Sequence, residues 1–149
     1  LTYKGIPYFA PDMFSKARLR DPLKSKQLQK GLRELGEEGA IQVFAPLVDS
    51  SLLMGAVGQL QFEVVEHRLK AEYGVDAVFE RSGIHTARWV TCDDAAHLAE
   101  FVKAQQMRLA RDVDDNLVYL ADNHVNLSLA MERWPKVKFH NTREHGQQL

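Results

Sequence analysis

The chain of 149 residues contains a single cysteine, Cys92. That excludes an internal disulfide framework and any zinc site built from several cysteines. No apolar run approaches the roughly 18 uninterrupted residues that a membrane helix needs, and the N-terminus lacks the charged-then-apolar layout of a signal peptide. No contact with a membrane is expected, and a cytoplasmic location is. Neither sign of charge prevails: 19 basic residues stand against 20 acidic ones, for a formal net charge of −1. No global field therefore draws the chain to nucleic acid. The six histidines (His67, His85, His97, His124, His140, His145) never fall into an HxxxH, HExxH or Cys/His spacing, so no metal site is expected. There is no G-x-S-x-G elbow, and Cys92 has no partner motif. Asp112-Val-Asp-Asp-Asn116 lacks the glycine and distal glutamate of a calcium loop. The remaining carboxylate pairs, Glu37/Glu38 and Asp93/Asp94, sit where acids cap helices or face solvent. No catalytic residue is expected.

What is present is enough to build a core: 45% of the residues are hydrophobic and 26% are charged, in a chain the size of one domain or two small packed halves. A monomer is expected. The chain opens on Leu1 rather than Met and closes on the polar run Glu144-His-Gly-Gln-Gln-Leu149. It is expected to be the C-terminal piece of a longer polypeptide.

The stretch from Gly55 to Gly74 carries an apolar run through Gly55 and Gly58 directly into a helical pattern. A phosphate-gripping loop needs backbone N–H groups at a helix start and, for ATP or GTP, a Lys followed by Ser or Thr. After Gly58 the chain offers Gln59 and Leu60, so Gly55 and Gly58 are read as a structural turn.

Extended segments are expected at Ile6–Phe9 and Met13–Leu19, interrupted by a turn at Ala10-Pro11-Asp12. Asp21-Pro22 reads as an N-cap with proline in the first helical turn, opening a helix that runs to Gly36 or Gly39. At 100° per residue Leu28, Leu32 and Leu35 share one face, and Lys26, Lys30 and Arg33 lie opposite. Strands follow at Ile41–Phe44 and Leu52–Met54, joined by a turn near Asp49-Ser50-Ser51. A helix over Gln59–Tyr73 and a strand over Val75–Glu80 complete a strand-helix-strand-strand-helix-strand order. That is the split β-α-β arrangement of ferredoxin-like folds, so the predicted fold class is α+β.

The second helix carries two apolar stripes. Phe62, Val65, Leu69 and Tyr73 lie on one side; Leu60, Val64 and Ala71, with His67 beside them, lie almost opposite. A helix apolar on two faces is expected to be covered on both, with the outer cover supplied by the rest of the chain. From His85 the pattern restarts with a strand at Thr86–Thr91, an Asp93/Asp94 cap and a helix over about Ala95–Leu109. A strand at Leu117–Leu120 follows, then a helix capped by Asn123 and stopped at Pro135, and a last strand over Val137–Thr142. No sequence repeat or linker is evident. The expected organisation is a ferredoxin-like half over 1–83, with its lead-in strand, packed as one rigid body against a smaller α+β half over 84–149.

Local charge departs from the neutral average. Between Lys16 and Arg33 seven basic residues face the single acid Asp21. Lys16, Arg18 and Arg20 alternate along a strand and share one sheet face. With Lys26, Lys30 and Arg33 they are candidates for contacting RNA phosphates. His140 and Arg143, within Phe139-His-Asn-Thr-Arg-Glu-His145, form a second candidate set.

The blocks Glu37-Glu38-Gly-Ala-Ile-Gln-Val-Phe44 and Gly55-Ala-Val-Gly-Gln-Leu-Gln-Phe-Glu-Val-Val65 resemble the third domain of translational GTPases related to elongation factor G. Gly5-Ile-Pro-Tyr-Phe-Ala-Pro-Asp12, Asp21-Pro-Leu-Lys24, Ala87-Arg-Trp-Val90, Val125-Asn-Leu127 and His140-Asn-Thr-Arg-Glu-His145 narrow the likeness to the C-terminal region of the bacterial class II peptide chain release factors. The resemblance covers nearly the whole chain. It implies a ribosome-associated GTPase as parent, one that removes class I release factors after the finished peptide has left. It also implies that GTP or GDP with magnesium belongs to an N-terminal domain, followed by a β-barrel domain, both missing from this chain. The partners it implies are the ribosome, on the small-subunit side, and the parent's own GTPase and β-barrel domains. In this reading the chain is a ribosome-contacting body without catalysis of its own. Two other classes remain open on the residues: a free-standing ferredoxin-like RNA-binding or regulatory module, and a small enzyme using Cys92 or the scattered acids. The first would need exposed aromatics on central strands, which Ile41–Phe44 and Leu52–Met54 do not supply as a block.

Overall fold

The computed structural model describes residues 7–48 and 51–144. The start expected at Ile6, the turn expected at Asp49 and Ser50 and the tail from His145 to Leu149 lie outside the described residues.

Two extended segments, β1 (Pro7–Phe9) and β2 (Met13–Leu19), flank the Pro11 corner. The Asp21 carboxylate accepts the Leu23 N–H at 3.0 Å, and Pro22 opens a single 3-10 turn that passes into α1 (Ser25–Glu38). Gly39, at a φ of 89°, ends α1 in the left-handed conformation that glycine adopts without a Cβ penalty. β3 (Gln42–Pro46), β4 (Leu53–Ala56), α2 (Gln59–Tyr73) and β5 (Ala77–Arg81) complete the first unit.

The second unit contains β6 (Thr86–Thr91), α3 (Ala95–Gln105), β7 (Leu109–Arg111), β8 (Leu117–Ala121), α4 (His124–Arg133) and β9 (Lys138–His140). Asp94 caps α3 through the N–H groups of Ala96 and His97, and Asn123 caps α4 through that of Asn126. The helix expected to reach Leu109 stops at Gln105, and a 3-10 turn leads into β7. Leu109 and Ala110, at 1% and 0% exposure, are buried strand residues that pair with β8, so tertiary pairing overrides the helical spacing.

All eight strands from β2 to β9 join one antiparallel sheet in the order β5-β2-β4-β3-β7-β8-β6-β9. The first four run β5-β2-β4-β3, and the last four, read from the other end, run β9-β6-β8-β7. Each unit therefore has the same strand-helix-strand-strand-helix-strand path and the same internal order, two ferredoxin-like units in tandem. Their corresponding edges meet: β3 pairs with β7 through Ala45 opposite Arg111 and Pro46 opposite Ala110. Antiparallel pairing of equivalent strands relates the units by an approximate two-fold axis. A separate ribbon pairs β1 with β10 (Thr142–Glu144), bringing the two ends of the described chain together.

Side-chain alternation divides the core into three. On one sheet face Met13, Ala17, Val43 and Met54 meet Leu28, Leu32 and Leu35 of α1 and Phe62, Val65 and Leu69 of α2. In the second unit Val90, Leu117 and Tyr119 meet Phe101 of α3 and Leu127 and Ala130 of α4. The opposite faces carry no helix, yet Phe14, Phe44, Leu53, Trp89 and Val118 are each at most 1% exposed and belong to one cluster. The two bare faces therefore cover each other, and the sheet folds over at the β3–β7 seam with the helices outside. Trp89, buried there, donates its Nε1–H to the Asp112 carboxylate at 3.0 Å. Asp112 also accepts from the Asp114 and Asn116 N–H groups at 2.9 Å, which shapes the β7–β8 turn and places Asp115 at a φ of 65°.

This layering corrects the expectation for α2. Phe62, Val65 and Leu69 are buried, but Leu60 is 70% exposed and Val64 47%. The second unit covers the sheet's bare face rather than its helices, so nothing among the described residues lies on the outer stripe of α2.

Candidate functional site

Lys26, Lys30 and Arg33 are exposed along the outer face of α1, because Leu28, Leu32 and Leu35 anchor the opposite face in the core. Among the described residues these three cations form no ion pair. Two acids of the same helix are turned the other way, toward α2. Arg68 donates to both oxygens of Glu38, and through Nε and Nη2 to Glu72 at 2.6 and 3.1 Å. Tyr73 donates its hydroxyl to Glu34 at 2.6 Å. The Arg68 hydrogen bonds hold the Glu38 and Glu72 carboxyls below the usual carboxylate range, and those carboxylates in turn raise Arg68. The hydrogen bond to Glu34 pushes the Tyr73 hydroxyl up to about 12. The α1–α2 seam thus engages Glu34 and Glu38 in hydrogen bonds on the α2 side, while Glu37 stays exposed and lines one cleft with Arg33.

Lys16, Arg18 and Arg20 are exposed on β2, but on the sheet face opposite α1, since Met13, Ala17 and Leu19 take the helix side. Arg18 pairs with Glu80 at 2.6 Å and Arg20 with Asp76 at 3.3 Å, both acids at or beside β5. The six basic candidates therefore form two groups separated by the sheet. One group is ion-paired and the other is not. His140 is half-buried on β9, its Nε2 2.8 Å from the Thr91 hydroxyl. Arg143 stands opposite Tyr8 in the β1–β10 ribbon, and its side chain lies outside the described residues.

Gly55 and Gly58 also separate. Gly55 lies inside β4 rather than in a turn, and a Cβ there would meet Pro11 Cγ at 2.4 Å and the Phe44 ring at 3.0 Å. Close approach of backbone and ring is what requires that glycine. Gly58 has extended backbone (φ −163°) and open space around it. It precedes α2 as a cap residue, while Gln61 Oε1 takes the Val57 N–H at 2.8 Å. Neither glycine cradles a phosphate.

A cleft of about 480 Å³ opens between the units, lined by Lys16, Leu53, Ile84, Met107, Arg108 and Leu120, with Arg108 tied to Asp122 at 3.3 Å. Cys92 packs half-buried against the second unit's core. Among the described residues no three His, Cys, Asp or Glu side chains gather in a metal-binding group. Sequence reasoning missed Gly31 and Gly36, which lie against Leu69 and Val113. It also missed the Arg68 seam, whose one local sign is the four-residue spacing of Arg68 and Glu72.

The chain matches, over residues 3–131, a family described as Class II release factor RF3, C-terminal domain. It belongs to that family. The peptide chain release factor 3 of Aromatoleum aromaticum is 62% identical over all 149 residues, a length that makes up 27% of that protein. The chain thus spans about a quarter of the curated relative it matches. The release factor match takes in the whole first unit, with α1, α2 and their seam, and continues through β8 into α4. It bears out the class II release factor resemblance carried by the blocks Gly5–Asp12, Asp21–Lys24, Ala87–Val90, Val125–Leu127 and His140–His145, and places the chain among proteins of translation termination.

Proposed function

We propose that this domain is the ribosome-contacting end of a termination GTPase, which promotes GTP-dependent dissociation of class I release factors from the ribosome after peptide release. Family membership supports the parent's class. The observation that carries the domain's role is the face of α1, where Lys26, Lys30 and Arg33 are exposed while Glu34 and Glu38 are drawn into the α2 seam. Such a face suits the phosphates of ribosomal RNA. His140 and Arg143 are a secondary contact set. The folded sheet and its shared third core favour motion of the two units as one rigid body, so a change in the GTPase domain is passed on as displacement rather than absorbed. Contacts that differ between the GTP and GDP states would then shift the ribosome between conformations.

In this proposal the chain performs no catalysis. GTP or GDP with magnesium is held by the preceding GTPase domain, the factor works in the cytoplasm as a monomer, and the small ribosomal subunit carries the contact. The alternative of a free-standing RNA-binding module is disfavoured, because the bare sheet faces such modules use for RNA are buried against each other. The test is Lys30→Glu with Arg33→Glu in the full-length factor, measured by ribosome co-sedimentation across a salt series. Affinity is expected to fall about tenfold or more, with the log–log salt slope reduced by about 2. Unchanged affinity and slope would remove α1 as the contact.

A further inference from the structure

We infer that the apolar ridge at the start of α2 is a seat for the preceding domain of the same polypeptide, a contact that rests on the release factor reading above. Phe9, Val57, Leu60 and Val64 are 59%, 62%, 70% and 47% exposed. Phe9 and Val57 line one cleft with Gln61, whose side chain holds the Val57 backbone, and Leu60 and Val64 lie one turn apart on α2, which starts two residues after Val57. The Phe9 carbonyl accepts from Gln42 Nε2 at 2.8 Å, so the ridge starts on an anchored strand rather than a loose end. The stripe runs on past the exposed His67 to the exposed Ala71, and among the described residues nothing is laid over it.

Three observations select the occupant. The matched family is a C-terminal domain and the relative is nearly four times as long as this chain, with a share of 27%, so most of such a polypeptide precedes β1. Phe9 lies in β1, so that preceding domain enters beside the ridge. Beside the stripe Glu63, Glu66 and Asp76 share one cleft with His67, Lys70 and Arg20, the last paired with Asp76, so the border carries no cationic excess to draw nucleic-acid phosphate. The patch is also small. Independent partners bury about 800 Å² each, whereas domains of one chain are held at millimolar effective concentration and need less. Four apolar side chains suit a tethered neighbour.

The test uses the full-length factor, free of ribosomes, in a background whose accessible native cysteines are replaced. Leu60→Cys and Val64→Cys are compared with Ala99→Cys, on the exposed side of α3, for their rate of reaction with a maleimide probe. The ridge positions are expected to react at least tenfold more slowly than the Ala99 position. In the same background Leu60→Glu with Val64→Glu is expected to increase the Stokes radius. Equal reaction rates in the free factor would overturn the inference. Protection that appears only when ribosomes are added would also overturn it, assigning the ridge to a ribosomal partner. Lys30→Glu with Arg33→Glu tests the ribosome contact separately and is expected to leave these rates unchanged.

Discussion

Gly31 of α1 lies directly against Leu69 of α2: a Cβ on Gly31 would stand 2.7 Å from Leu69 Cδ2 and 3.1 Å from the Tyr73 ring. The two helices approach here more closely than any side chain on α1 would permit. Leu69 is fully buried, so its Cδ2 can shift only against other core side chains. Alanine gains about 1 kcal/mol of helix propensity over glycine, but overpacking a dense core costs about 1–3 kcal/mol. Gly31→Ala is therefore expected to destabilise by about 1 kcal/mol, read from the urea midpoint. Gly58→Ser, at an open position with extended backbone, is expected to stabilise by about 0.5 kcal/mol through a better cap and a stiffer unfolded chain. The opposite order of the two variants would contradict the packing described.

The buried contact of the bare sheet faces leads to the expectation that the two ferredoxin-like units unfold as one cooperative body. Phe14 of β2, fully buried in the cluster that includes Trp89 and Val118, is the sharpest probe. Phe14→Ala is expected to cost about 3–5 kcal/mol and to lower the midpoint by about 10 °C. Calorimetry should show one transition before and after the change. Two resolved transitions, with only the first-unit one shifted, would show that the units unfold separately.

The Arg68 and Tyr73 hydrogen bonds each add a small part to one limb of the stability–pH curve. Arg68 depresses the Glu38 and Glu72 carboxyls, so their contribution is present above the unfolded carboxyl value of about 4.3 and is lost as pH falls through the depressed folded values. Tyr73 is raised to about 12 by Glu34, so its contribution is present below about 10 and is lost as pH climbs toward the folded value. Arg68→Met should flatten the acid limb below pH 5, and Tyr73→Phe the alkaline limb above pH 10. At neutral pH the exposed Arg68 pairs contribute little. Urea midpoints that stay parallel to the parent curve across both limbs would contradict this account.

Elements whose pattern is local were legible. The span Gln59–Tyr73 was readable to the residue, since Gly58 and Gly74 bracket an unbroken helical period, and Asp21, Asp94 and Asn123 announced their caps. Leu109 was not, because its apolar spacing continues α3 while its burial belongs to β7. The tandem topology was legible only in part: the pattern restarts at His85, but β7 lay hidden in the run taken for the end of α3, so the second path read one strand short. In the candidate site, the exposure of Lys26, Lys30 and Arg33 followed from helical period alone. Their separation from Lys16, Arg18 and Arg20 did not, because alternation says that β2 residues share a face but not which face the helices take.

The stretch from Gly55 to Gly74 shows the division most directly. Sequence determined that it makes a strand, a break and a helix with two apolar stripes, and its first block resembles the third domain of GTPases related to elongation factor G, because local periodicity and residue identity are carried by the chain itself. Only the tertiary structure decided that Gly55 serves the approach of Pro11 and Phe44, that no close approach requires a glycine at Gly58, and that one stripe of α2 remains uncovered among the described residues. Those outcomes depend on which surfaces of the two units meet. The free energy of burying two bare sheet faces is a property of the whole assembly rather than of any segment.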